Sequence, residues 1–393
     1  MSLPPQLTST DDLFRPAQSG DFFPWRDELP LEQHIPLTCA ELSRLAYAPR
    51  QIIEATLQSL DWQLDRTLHG ARFLPGPADT EGFVARPRAG GPRFVVFRGT
   101  DSGSVDDLLT DLNAISRRWR GRHTVHRGFA DEYDSLCAPL QQLQQLGGGS
   151  PDLILTGHSL GGALATLALN DLPGSRLLTW GAPRVGDRQF VESLRGASIE
   201  RYVHCCDLVP RVPLESLSRE SLVGFLRRFG EGLRKEDQGD PRLWQLAEKL
   251  DPSAFLHAQA THWLGRPPPE YHHPGRLKYL TSTGELQLEP EESVMREDQQ
   301  RGRVAFREAL AGVLPDSALF MGVWKSVRQA LRSLPRGDWS GARGHLVRMV
   351  RELAESNPLK LVLIRDFADH AACHYVRTAL HLARRRAHPE TAG

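Results

Sequence analysis

The chain has 393 residues, long for one simple domain but within range for one α/β domain carrying insertions. Lys plus Arg and Asp plus Glu both number 48, so the formal net charge is zero and the chain lacks the basic excess of a typical nucleic-acid binder. Its 5 cysteines are odd in number, two of them adjacent (Cys205 and Cys206), and no CxxC pair is present. That pattern reads as reduced, partly buried thiols rather than a disulfide framework or a zinc site.

Residues 1–35 are polar and Pro-rich and read as a leader, without the basic start and apolar core of a signal peptide. With no apolar run long enough for a spanning helix, the expected compartment is the cytoplasm by default, export by a signal-less route remaining open. Leu42, Leu45 and Ala46 share one helical face, and Ile52, Ala55 and Leu57 predict a second helix. Residues 82–85 and 93–97 read as strands, and 132–146 as a helix closed by three glycines. Beyond them strand and helix alternate: strand 153–155, helix from Leu160, strand 176–180, helix 188–194, strand 199–204. Such alternation predicts βαβ units and a mainly parallel central sheet flanked by helices.

Two stretches interrupt that rhythm with helix formers and no strand pattern. The expected organisation is a leader (1–35), a core (36–214), a helical insertion (215–266), a core strand and hairpin (267–290), a second helical insertion forming a cap (291–360) and a C-terminal core segment (361–393).

The segment Gly157-His158-Ser159-Leu160-Gly161 fits G-x-S-x-G between a strand and a helix. Glycines two before and two after let strand and helix approach closely and hold the serine strained and exposed at a sharp turn, as a nucleophile requires. A tetrahedral intermediate needs two N–H donors. One falls to Leu160, just after the serine. The other falls to the loop after the strand ending at Phe97, where Thr100 offers its backbone N–H. Asp207, just past a strand end, stands where the acid of a Ser–Asp–His order belongs; a turn aspartate capping a backbone N–H is the plainer reading. The base must be one of 15 histidines. Among those after Asp207, His272, His273, His370 and His374 are the candidates, and residue chemistry alone does not choose between them.

These segments resemble the class 3, fungal-type triacylglycerol lipase family. The motifs, in family order, are VVFRGT (95–100), VHRGF (125–129), LTGHSLGGALA (155–165), WGAPRVGD (180–187) and DLVPRVP (207–213). The resemblance covers roughly residues 40–215 and the final 35. It implies an α/β-hydrolase fold with helical insertions as cap or lid, and a triad of Ser159, Asp207 and His370. His370 is favoured because Asp369-His370 with Tyr375 matches the family's C-terminal pattern, whereas His273 lies in an H-x-G-x-x-x-Y-L motif whose histidine is not the base. Thr100 and Leu160 fall on the oxyanion hole. Val105, Leu108, Leu109 and Leu112, which share one helical face, fall on the lid; a surface helix packed on its own core is the alternative there. Residues 317–334 are amphipathic and read either as a cap packed on the core or as an interfacial helix.

The implied activity is hydrolysis of lipid esters, acylglycerols first, with transient contact to a lipid interface and neither metal nor organic cofactor. A phospholipase or lysophospholipase, effector-like in character, is the alternative within enzymes. A non-catalytic lipid-binding protein on a hydrolase fold is the alternative of another class.

Overall fold

The computed structural model describes residues 15–69, 81–99, 116–121, 123–136, 152–213, 270–310 and 369–387, with the backbone alone for 303–310. In chain order the helices are α1 (Ile35–Leu45), α2 (Arg50–Ser59), α3 (Arg127–Ser135), α4 (Leu160–Asp171), α5 (Arg188–Ser193), α6 (Glu292–Leu310) and α7 (Ala372–Ala387). The strands are β1 (Trp62–Leu68), β2 (Gly82–Pro87), β3 (Arg93–Phe97), β4 (Ser116–Trp119), β5 (His123–His126), β6 (Leu153–His158), β7 (Arg176–Trp180), β8 (Ser198–His204), β9 (Arg276–Leu280) and β10 (Leu286–Leu288).

Eight strands form one sheet in the order β1-β2-β3-β6-β7-β8-β9-β10. The five from β3 to β9 run parallel, and the outer pairs at both edges are antiparallel. β6 is buried along its whole length, which is why its sequence reads as a continuous apolar run rather than an alternating one. Successive side chains point to opposite faces. Phe94, Val96, Ile154 and Leu178 join one core with α1, α2 and α7, while Val95, Phe97, Leu155 and Leu177 join the other with α3, α4 and α5. Helices on both faces of a mainly parallel sheet, with a strand–Ser–helix turn at its centre, make this an α/β-hydrolase fold.

Several sequence readings shift. α2 buries Ile53 and Leu57, whereas Ile52 is 46% exposed, so the predicted helix turns a different face inward. The helix expected over 132–146 starts earlier, at Arg127, capped by the His126 ring accepting from the Phe129 N–H; residues beyond 136 lie outside the described part. The edge strand β1 and the hairpin β4–β5 carry weak signals and were not expected. The leader is part of the fold from residue 15. Phe23, Trp25 and Leu29 pack into the α1 core, and the buried Arg44–Glu41 pair ties this strap down. Arg44 donates to the carbonyls of Pro16, Ser19, Gly20 and Asp21, and Glu41 accepts from the Phe23 N–H.

Of the two insertions, 215–266 lies outside the described residues, and 291–360 is described only at α6. That helix is anchored by buried Asp298, which accepts from the Tyr279 hydroxyl and from the Ser282 N–H and hydroxyl at the end of β9. The amphipathic stretch 317–334 also lies outside. No helix among the described residues is long and apolar enough to cross a membrane. Cys39, Cys205, Cys206 and Cys373 are buried and take part in no disulfide.

Candidate active site

β6 ends at His158, and α4 begins at Leu160. Between them Ser159 takes φ 56°, ψ −128°, a left-handed conformation that a residue with a Cβ adopts only under strain. The two glycines explain how the turn closes. A side chain on Gly157 would collide with the backbone of Gly161, and one on Gly161 with the Phe97 carbonyl, so strand, helix and the end of β3 meet backbone to backbone. The Ser159 N–H donates to the Trp180 carbonyl (2.9 Å), fastening the turn to the end of β7.

His370 lies just before α7, and its Nε2 is 2.9 Å from Ser159 Oγ. Its Nδ1 lies 3.1 and 3.0 Å from Asp207 Oδ1 and Oδ2. A carboxylate only accepts, so the proton sits on Nδ1, and Nε2 is left to accept from the serine hydroxyl. Asp207 follows β8 and is fully buried. It also accepts from the Val209 N–H (2.9 Å) and the Tyr375 hydroxyl (2.6 Å), so the turn-capping role and the acid position coincide in one residue. Tyr375 in turn accepts from the His204 N–H (3.1 Å). Burial first, then the charge of Asp207, push the Tyr375 phenol well above its usual pKa, so it stays a donor.

Other histidines are placed elsewhere. His374 stacks on His204 and lies 3.6 Å from Asp369. His273 donates to the Pro210 carbonyl (2.6 Å). Leu160 heads α4, where the first N–H groups of a helix have no intrahelical acceptor and the dipole favours negative charge. Thr100, Val105, Leu108, Leu109 and Leu112 lie outside the described residues. The chain leading to Thr100 does reach the site: Gly99 abuts the Tyr47 hydroxyl and the His158 carbonyl so closely that no side chain would fit.

Three supporting residues escaped sequence reasoning. His158 Nε2 lies 2.6 Å from the His370 carbonyl, and the Tyr47 hydroxyl 2.9 Å from His158 Nδ1. The carbonyl fixes the proton on Nε2, so Tyr47 donates to Nδ1. Burial, and then the neighbouring His370, lower the His158 pKa to about 3. Gly181, in a left-handed conformation after β7, leaves room for the His370–Asp207 contact; a Cβ there would sit 2.7 Å from Asp207 Oδ2 and 3.1 Å from His370 Nδ1. His158, beside the serine, and Gly181, in the WGAPRVGD motif, carried a local hint; Tyr47 carried none.

Residues 94–217 match the family model for lipase (class 3). Over this stretch the chain is similar to the class 3 lipase family. Among curated relatives, the lipase of Rhizopus niveus is 35% identical over 156 residues, covering 35% of this chain and 39% of that protein. Triacylglycerol lipase OBL1 of Arabidopsis thaliana is 35% identical over 274 residues, 54% of this chain and 53% of that protein. Toxin TseL of Vibrio cholerae is 35% identical over 165 residues, 38% of this chain and 25% of that protein. The chain thus spans from a quarter to about half of these relatives' lengths. The class 3 lipase match ends close to Pro213, the last described residue before the first insertion, and His370 lies beyond it.

Proposed function

We propose that the protein is a serine carboxylester hydrolase acting on lipid esters, acylglycerols first, through an acyl-enzyme. The observation that carries this reading is His370 bridging Ser159 Oγ and the Asp207 carboxylate at 2.9 and 3.0 Å. Ser159 Oγ attacks the ester carbonyl as His370 Nε2 takes its proton. The N–H of Leu160 and that of Thr100 stabilise the oxyanion. The imidazolium then protonates the leaving alcohol. Water enters, gives its proton to His370 and releases the fatty acid. Asp207 holds the Nδ1–H tautomer and offsets the imidazolium charge. The family match and the names of the relatives support a lipid ester as substrate class.

The test is hydrolysis of p-nitrophenyl esters of rising chain length, with triacylglycerol and phospholipid emulsions beside them, for wild type, Ser159→Ala and His370→Ala. Hydrolysis lost in both folded variants, with glycerides preferred, is the expected result. Preference for phospholipid would move the reading to a phospholipase. A wild-type protein that hydrolyses nothing and takes no fluorophosphonate label would leave lipid binding without catalysis.

A further inference from the structure

Cys206 precedes Asp207, and Asp369 precedes His370, so the chain neighbours of the acid and the histidine face one another directly behind the triad. The Cys206 N–H donates to Asp369 Oδ2 at 3.0 Å, and Cys205 Sγ lies 3.3 Å from the same oxygen. The two sulfurs are 3.4 Å apart. Both thiols and the carboxylate are fully buried, with their ligand atoms all within 4.8 Å of one another.

Two sulfurs and a carboxylate oxygen converging in a dry site form a ligand set for a borderline-soft divalent cation. In a tetrahedral zinc site, Zn–S bonds of about 2.3 Å and Zn–O bonds of about 2.0 Å place sulfurs about 3.8 Å apart and sulfur and oxygen about 3.5 Å apart. The observed spacings fall a few tenths of an ångström short, a gap that small side-chain rotations close. A further donor stands next to the cluster, the Gln299 carbonyl 3.6 Å from Cys206 Sγ, while His374 Nε2 lies by the other carboxylate oxygen, 3.6 Å from Asp369 Oδ1.

The geometry points to a site for one zinc-like divalent cation held by Cys205 Sγ, Cys206 Sγ and the Asp369 carboxylate, its fourth position left to the Gln299 carbonyl or water. Binding releases the two thiol protons to solvent as the sulfurs become thiolates. Two thiolates and a carboxylate against a dication leave one net negative charge, the same as the carboxylate with two neutral thiols. The buried site therefore gains no net charge on loading. The cation would cross-link the end of β8 to the turn before α7, segments 163 residues apart that carry Asp207 and His370. α6 covers the sulfurs, with Gly302 packed against both, so loading belongs to folding or to a displacement of that helix.

The site stands apart from the proposed hydrolysis, and its test reads metal rather than turnover. Wild-type protein, expressed with zinc and purified without a metal-affinity step, is assayed for zinc by mass spectrometry. A cobalt-substituted sample, refolded with Co2+, is examined for the thiolate-to-cobalt charge-transfer band. About one zinc per chain and a band of tetrahedral thiolate type are expected, both lost in Cys205→Ser and Cys206→Ser with near-ultraviolet circular dichroism retained. Wild type free of zinc and without the band, or serine variants keeping both, would overturn the site. If the serine variants do not fold, the cobalt spectrum of wild type decides by itself.

Discussion

The backbone carbonyl of His370 accepts a hydrogen bond from His158 Nε2 at 2.6 Å, so the residue before the nucleophile holds the histidine that serves it. Tyr47, from just past α1, completes the chain by donating to His158 Nδ1. The contact couples the β6–α4 turn to the segment before α7 through a ring that burial keeps neutral. Losing the Tyr47 hydroxyl removes the group that satisfies Nδ1, at a cost of about 1 to 1.5 kcal/mol. Tyr47→Phe is therefore expected to lower kcat/KM about tenfold, mainly through kcat. Steady-state kinetics with a soluble ester check this, and a rise confined to KM would contradict it.

Removal of the nucleophile or the base should cost far more. Ser159→Ala and His370→Ala are expected to lower kcat on the order of 10⁶-fold, and Asp207→Asn about 10⁴-fold by stabilising the wrong tautomer. His374→Ala should retain at least about a hundredfold more activity than His370→Ala, because His374 faces Asp369 and not Ser159. Equal losses in the two histidine variants, on folded protein, would remove the assignment of the base.

Asp207 is held by more than His370. Tyr375→Phe deletes a 2.6 Å hydrogen bond to its carboxylate, a charge-assisted contact of about 1.5 to 3 kcal/mol. A ten- to hundredfold loss in kcat/KM is expected, roughly that energy converted to rate. Gly181→Ala introduces a methyl 2.7 Å from Asp207 Oδ2 at a positive φ, and should be worse in both activity and melting temperature. Gly181→Ala with wild-type kinetics would show that the acid loop yields freely.

The strap at residues 15–34 depends on a buried ion pair. Arg44 and Glu41 are 3% and 0% exposed, and removing Arg44 strands Glu41 and deletes four further hydrogen bonds to the strap's carbonyls. Arg44→Ala should destabilise the fold by about 3 to 5 kcal/mol. Arg50→Ala breaks an exposed pair with Glu54 and should cost at most a few tenths. Urea unfolding of the two variants side by side tests the contrast.

Stability should fall in mild acid. His158 is lowered from 6.5 to about 3, and burial holds His273 well below its usual value. Between pH 6.5 and about 3 the unfolded chain binds a proton at His158 that the folded chain refuses. The stability this lowered pKa confers on the folded state is thus complete above pH 6.5 and drains away as pH drops. Each such group contributes a slope of about 1.4 kcal/mol per pH unit. Unfolding free energies at pH 7, 6 and 5 should show this fall, and His158→Gln should make it shallower by about one proton. An unchanged slope in that variant would mean that other groups carry the acid sensitivity.

What the sequence determined by itself was local. The turn at Ser159 needs a buried strand, two glycines and a helix within a few residues, so Leu153–Leu155, Gly157, Gly161 and the small apolar run after them spell it out. The parallel strands 93–97 and 176–180 were legible for the same reason, since burial on both faces leaves continuous apolar runs. Asp207 was legible from its place after a strand. Weakly buried elements were not. β1 carries Asp65 and Arg66 at an edge, and the sparse apolar pattern of α2 left its inward face open until Ile53 and Leu57 packed. Residue chemistry left several histidines open and the family pattern favoured His370; the tertiary structure sets His370, and not His374 four residues on, against the serine, and it alone decided that Tyr47 supports the site and that Cys205, Cys206 and Asp369 lie together. Those relations join segments more than a hundred residues apart in the chain. Spacing along a chain encodes only what a single turn, strand or helix can bring together; contacts between distant segments are set by how the sheet and its helices pack.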